Sequence, residues 1–239
     1  MASHGRRHTV IPPPDKPKSR KKAFDLDDMF ARIEQAIGPY KKAAMFELAE
    51  AGYKTPFEQL VACIISIRTF DEVSAPTARQ LLDVAKTPAE IVKLGVERID
   101  ELIRATTFHG PKARTIYDIA ARVVKEFKGQ LPCDLETLLS LKGVGPKCAH
   151  LTLGVACGLP FISVDIHVHR VTNRWGYVAA STPDKTLRQL EEKLPKEHWI
   201  DINRLLVPFG KHICTGKLPR CSTCPVLAYC RQVGVDAHR

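Results

Sequence analysis

Apolar positions along the chain fall mostly on the 3.6-residue period of a helix. Leu26, Met29, Phe30, Ile33 and Ile37 share one face, and Gly38-Pro39 ends that stretch. The segment 41–54 has no decisive period. Thr55-Pro56-Phe57-Glu58 is a capping box with proline at the first helical position, opening a helix over 57–67. That helix is apolar nearly all round, which predicts a buried, central element. Thr87-Pro88-Ala89-Glu90 repeats the start signal, and 111–127 places Ile116, Ile119, Ala120, Val123 and Phe127 on one face. A short helix over 135–141 runs through Lys142-Gly143-Val144-Gly145 into a second helix over 146–157. Beyond the Gly158-Leu159-Pro160 loop, Asp165 is placed to cap a helix over 166–175. No stretch alternates long enough to form a sheet. The expectation is an all-α fold of two packed helical lobes.

Charge adds a partner to this picture. The chain of 239 residues carries a net +10, and its pI is near 9.3. Such a surplus points to a polyanion, either nucleic acid or an acidic membrane surface. No apolar run is long enough to span a bilayer, which excludes an integral membrane protein, and no apolar leader predicts secretion. Residues 1–23 hold seven Lys or Arg, one acid and Pro12-Pro13-Pro14. They read as a disordered basic tail, either a solvated leader or an arm for phosphates.

The eight cysteines divide in two. Cys63, Cys133, Cys148 and Cys157 sit in or beside apolar stretches and read as small buried hydrophobes. Cys214, Cys221, Cys224 and Cys230 form C-x6-C-x2-C-x5-C. Four thiols so close, without a secretion signal, point to metal rather than disulfides. Zinc and an iron–sulfur cluster both fit four thiolates. One C-x2-C flanked by lone cysteines at wider spacing favours the bulkier cluster.

The 142–147 turn has chemistry of its own. Gly143 and Gly145 permit positive φ and close backbone approach, and Pro146 suits the first turn of the following helix. Backbone N–H groups at such a helix start make a phosphate site. Lys147 stands in the first turn and Asp165 follows 18 residues later. His167 and His169, two apart on a helix, face different directions and make a poor metal pair.

In this order, hairpin, Lys147, Gly/Pro loop, Asp165 and cysteine tail resemble the endonuclease III branch of the helix-hairpin-helix DNA glycosylases. The similarity runs from about residue 55 to 230. The resemblance implies a two-lobed helical fold with its active site in the cleft, and a 4Fe-4S cluster on Cys214, Cys221, Cys224 and Cys230. It implies excision of oxidised pyrimidines from damaged double-stranded DNA, then β-elimination at the abasic site. Lys147 matches the bifunctional members; adenine-excising relatives lack that lysine. The implied division is a basic tail at 1–23, one lobe from 24–54 with 132–239, and a second lobe at 55–131. Within the first lobe, 135–157 is the helix-hairpin-helix, 24–54 and 158–213 are packing helices, and 214–230 is the cluster loop.

A lysine attacks the sugar C1′ only as a neutral amine, so its pKa must fall by roughly 2–3 units from about 10.4. Desolvation in a cleft closed on DNA is the expected main source, because a helix N-terminus contributes at most about 1.5 units. Asp165 favours the ammonium; its role is to accept the lysine proton and stabilise the oxocarbenium-like transition state. The groups expected to meet DNA are Gly143, Val144, Gly145, Arg68, Phe108, Lys112, His167, Arg170, Lys217 and Arg220. Two depart from the family: Arg68 replaces a wedge glutamine in Ser66-Ile67-Arg68-Thr69-Phe70-Asp71, and Phe108 replaces a wedge leucine. Lys112, in Gly110-Pro111-Lys112-Ala113, echoes the nucleophile's setting and reads as a phosphate contact. A monomer in the bacterial cytoplasm, associated with the nucleoid and not with membrane, is expected. Two other readings are a glycosylase for mismatched or alkylated bases with weak lyase activity, and a non-catalytic DNA-binding module.

Overall fold

The computed structural model describes residues 21–239. Eleven α-helices and two short 3-10 turns occur among these residues, and no strand does. Helix α1 (Leu26–Ile37) is capped by Asp25, whose carboxylate accepts the Asp28 N–H. The undecided segment contains α2 (Ala44–Glu50). Both predicted capping boxes are formed, on α3 (Pro56–Ser66) by Thr55 and Glu58 and on α5 (Pro88–Ile103) by Thr87 and Glu90. Between them lies α4 (Asp71–Val84), with Pro76 inside it. Helix α5 is kinked at Gly95, where φ is 74°. Then follow α6 (His109–Phe127), α7 (Leu135–Ser140), α8 (Pro146–Cys157), α9 (Ile166–Trp175), α10 (Pro183–Lys193) and α11 (Asp201–His212).

The core divides into two clusters, but not along the expected boundaries. One cluster is built on α3, buried on nearly every side, and takes in α2, α4, α5, α6 and the hairpin helices α7 and α8. The other joins α1, α9, α10, α11 and the segment around Val226–Cys230. Residues 44–54 and the 135–157 hairpin, expected with the C-terminal helices, bury their apolar faces in the first cluster instead. The reason is the composition of α3: a helix with no polar face needs partners all round, and Cys148, Ala149, Leu151 and Leu153 of α8 cover one side.

Two further expectations are corrected. Cys133 and Cys157 are joined by a disulfide, with Cα atoms 6.0 Å apart. It closes the open end of the hairpin opposite the glycine turn, so these two are not merely buried hydrophobes. Cys63 and Cys148 do fit that reading, lying in the core with sulfurs 2.7 Å apart. At the N-terminus, residues 21–23 of the expected tail are docked. The Lys22 N–H donates to Ala228 O at 2.9 Å and Lys21 Nζ to Leu227 O at 3.0 Å. Residues 1–20, with the rest of the basic tail and its proline run, lie outside the described residues.

Candidate active site and nucleic-acid interface

A cleft of about 1120 Å³ is lined by residues from α8 and the start of α4 on one side and from α9 and α11 on the other, among them Arg68, Asp71, Lys147, Asp165, Arg170 and Lys211. That volume accommodates a nucleotide swung out of a duplex. Lys147 occupies the first turn of α8. The N-cap of α8 is Gly145, which has no side chain to satisfy the helix's free N–H groups. The helix start is therefore open to an anion.

The two turn glycines do different work. Gly143 has φ 86°, and a Cβ there would lie 3.1 Å from Thr115 Cγ2. Gly145 has φ −99°, a conformation open to any residue, and its Cβ position meets nothing within 4 Å. It supplies bare surface rather than an unusual torsion. Val144 is an anchor: it is 7% exposed and its N–H donates to Leu141 O at 3.1 Å. Neither its side chain nor its N–H is free for DNA, contrary to expectation.

Asp165 caps α9. Its Oδ1 accepts the N–H groups of His167 at 2.9 Å and Val168 at 2.8 Å. The segment leading to it lies along α8. His150 Nδ1 meets Ile162 O at 2.9 Å, Ser163 Oγ donates to Lys147 O at 3.3 Å, and Asn203 Nδ2 donates to Ser163 O at 3.2 Å. These three side chains, which the sequence analysis missed, hold the Asp165 strap against the turn bearing Lys147. Only residue type was visible in sequence, and each contact is set by the fold.

Burial acts to lower the Lys147 pKa, but the sulfurs of Cys63 and Cys148 and the carboxylates of Asp165 and Asp71 outweigh it, and the net direction is up. In the free protein, without DNA over the cleft, Lys147 is an ammonium. The strongly lowered lysine is the other one. Burial pulls Lys112 down to about 8.

Lys112 is 6% exposed, and its Nζ donates to Ile65 O at 2.7 Å and Thr69 Oγ1 at 3.0 Å. It is an internal brace, not a phosphate contact. Thr69 Oγ1 also accepts the Thr107 N–H at 3.2 Å, and Thr107 Oγ1 donates to Arg68 O at 2.9 Å. The loops carrying Arg68 and Phe108 are thus tied together. Both residues are left-handed, at φ 54° and 56°, and the Arg68 guanidinium lies 5.6 Å from the Phe108 ring centroid. Phe108 is 55% exposed, so it is not core. Asp71 is engaged by Lys211, whose Nζ reaches it at 3.3 Å and Glu72 at 2.8 Å.

Arg170 is largely committed inside the protein. Its Nη2 donates to Gly210 O at 2.8 Å and contacts His167 Nδ1 at 3.0 Å, while Nε donates to Cys214 O at 3.2 Å. It braces α9 against α11 rather than standing free for DNA. Burial lowers the His167 pKa, which keeps the ring neutral at pH 7. His169 turns away to Thr186 Oγ1 at 2.7 Å.

Cys214, Cys221, Cys224 and Cys230 line one small pocket, walled by Trp175, Phe209 and Leu227. Arg174 grips the start of the loop through Thr215 O at 2.6 Å and Gly216 O at 2.8 Å, and its Nη1 lies 3.6 Å from Cys214 Sγ. The Gln232 N–H donates to Cys230 Sγ at 3.3 Å. Among the described residues, no three His, Cys, Asp or Glu side chains converge tightly enough to hold a single metal ion. Lys217 and Arg220 are exposed on the same loop.

A helical hairpin presenting a lysine to a two-sided cleft, with an aspartate at the start of the next helix, marks a class of DNA-repair proteins. The family model described as "HhH-GPD superfamily base excision DNA repair protein" matches residues 61–196, and the chain belongs to that superfamily. Within it the likeness is to the endonuclease III branch. Endonuclease III of Thermotoga maritima is 37% identical over 175 residues, 73% of this chain and 82% of that one. Endonuclease III of Escherichia coli is 34% identical over 185 residues, 76% and 86% of the two chains. The solved structure of a trapped endonuclease III–DNA covalent intermediate, an estranged-adenine complex, matches with TM-score 0.75 and 27% identity. It covers 87% of this chain and 94% of that one. The protein is a base-excision-repair enzyme, a DNA glycosylase and abasic-site lyase.

Proposed function

We propose that the enzyme excises oxidised pyrimidines from duplex DNA, with Lys147 as nucleophile and Asp165 as its acid–base partner. The observation that carries this reading is the pairing of the two in one cleft, with the Asp165 strap laid along the helix that bears Lys147. The damaged nucleotide leaves the stack and its sugar enters the cleft, with the 3′ phosphate at the open start of α8. Asp165 takes a proton from the Lys147 ammonium, which accounts for catalysis by a lysine whose pKa is raised. The amine forms a bond to C1′ as the bond from C1′ to the base breaks, and the base departs with the proton that Asp165 took up. Opening of the sugar ring gives an iminium. Loss of a C2′ proton then expels the 3′ phosphate, and water releases the lysine.

Cys214, Cys221, Cys224 and Cys230 would hold a 4Fe-4S cluster. Their shared pocket, too wide for one ion, and the N–H and guanidinium groups directed at sulfur suit such a group. The cluster would offset part of the charge of the four thiolates and fix the loop that presents Lys217 and Arg220 to phosphates. The working unit is a monomer on damaged double-stranded DNA. The setting is the bacterial cytoplasm at the nucleoid; no helix among the described residues is long and apolar enough to cross a membrane.

Borohydride reduction on duplexes bearing an oxidised pyrimidine or an abasic site tests the chemistry. Wild type should form a covalent adduct, Lys147→Gln should form none while binding DNA within a few-fold of wild type, and Lys112→Gln should still form it. Trapping that survives in Lys147→Gln overturns the assignment. Iron analysis of anaerobically prepared protein should give about four iron atoms per chain; stoichiometric zinc would refute the cluster.

A further inference from the structure

Among the large apolar side chains that face solvent, Phe70 is extreme at 81% exposed. Nothing in the folding of the chain accounts for it. It stands at the N-cap of α4 and makes no side-chain cap hydrogen bond, where Ser, Thr, Asp or Asn would be favoured. Its side chain belongs to neither core cluster. Its backbone is firmly held. Its carbonyl accepts the Val73 and Ser74 N–H groups at 3.0 and 2.9 Å. Its neighbours are fixed too, Thr69 by Lys112 and Asp71 by Lys211. An apolar ring is thus kept in water on a rigid mount.

Where that ring stands separates it from the other exposed phenylalanine near the cleft. Phe70 lines the cleft that contains Lys147 and Asp165, whereas Phe108 does not. Phe108 lies beside Arg68 on the outer loop pair, suited to the gap left in the duplex. Phe70 shares its cleft with the proposed nucleophile, where an extruded nucleotide would have to enter.

We propose that Phe70 is the stacking platform for the extruded base, and that it biases the enzyme toward oxidised pyrimidines whose ring is still flat. An aromatic face attracts another aromatic face through dispersion and offset stacking. A pyrimidine that keeps its C5=C6 double bond presents such a face. A pyrimidine saturated at C5 and C6 is puckered, has lost that conjugation, and projects ring hydrogens or substituents toward the platform. Phe70 therefore acts as a specificity-determining residue within the lesion class. This inference rests on the proposed excision of oxidised pyrimidines.

The test compares single-turnover excision of 5-hydroxyuracil, which is flat, with that of 5,6-dihydrouracil, which is puckered and of similar size. Cleavage of a pre-formed abasic site is the third substrate. Phe70→Ala should slow 5-hydroxyuracil excision by about 5- to 150-fold, from a stacking contribution of about 1–3 kcal/mol. The other two substrates should change by less than about 3-fold on the same scale, because neither stacks well on the ring. Phe70→Tyr should restore the preference for the flat base, and Phe70→Leu, apolar without a π face, should not. Equal losses on all three substrates, or weaker binding to undamaged duplex, would overturn the proposal in favour of a general DNA contact. No loss on 5-hydroxyuracil would overturn it outright. If wild type itself excises neither base yet cleaves the abasic site, the lesion class is wrong and the stacking role falls with it.

Discussion

The Cys133–Cys157 bridge should set a large part of the protein's thermal stability. The perturbation is the Cys133→Ser/Cys157→Ser double variant, or reduction of the native protein. The cross-linked residues are 24 apart. Closing a loop of that length in the unfolded chain removes entropy worth about 3.5 kcal/mol at 25 °C. For a domain of this size each kcal/mol moves the Tm by about 2–4 °C, so the loss should be roughly 7–14 °C. Helical circular dichroism followed through a melt at fixed scan rate reads the shift. The serine variant with and without reductant serves as the control, since it should no longer respond. A difference below about 2 °C between oxidised wild type and the serine variant would refute the reasoning. It would mean either that strain cancels the entropy or that the unfolded hairpin already keeps its ends together. DNA binding should suffer less than stability, because the bridge closes the end of the hairpin away from the glycine turn.

Three other outcomes follow from the site. Phe108→Ala should slow base excision by roughly 5- to 150-fold through lost stacking in the duplex gap, with a smaller effect on a pre-formed abasic site; a lowered Tm with excision intact would mean that the ring supports the fold instead. Replacing Lys217 and Arg220 together with Ala should flatten the logarithmic salt dependence of DNA binding by up to about two, each phosphate contact contributing about 0.9; an unchanged slope would show that the loop does not reach the backbone. Asp71→Asn removes one of the carboxylates that hold the Lys147 pKa up. More of the lysine is then neutral at a given pH, so the acidic limb of the single-turnover trapping rate should move to lower pH, and a shift to higher pH would contradict the electrostatics.

The legible parts of the fold were those written in short-range chemistry. Thr55 with Glu58 and Thr87 with Glu90 announce their helices within four residues, and both boxes are formed. Asp165 announces the start of α9 in the same way. Helices α4 and α11 gave weaker signals, because Pro76 and Pro208 sit inside them and proline normally ends a helix. The side chains of Lys112 and Arg170 show why site residues are harder to read. A basic residue beside a DNA-binding motif is as well suited to an orphan carbonyl as to a phosphate, and only the fold decides between them. Lys211 lies 139 and 140 residues from its acidic partners in sequence, so no local pattern could have paired them. The Cys133–Cys157 bridge was hidden for the same reason. An isolated cysteine in an apolar stretch reads alike whether or not a second one faces it.

Helix α9 joins the active-site cleft to the cysteine loop. Asp165 caps its first turn, and Arg174 near its last turn grips Thr215 and Gly216 at the start of the cysteine loop. The helix has ten residues and is thus only about 15 Å long, without a proline or other hinge. It works as a connecting rod. Damage that loosens the cysteine loop would act through it on Asp165, the carboxylate proposed to serve Lys147. Oxidative injury at one end would therefore disarm strand cleavage at the other.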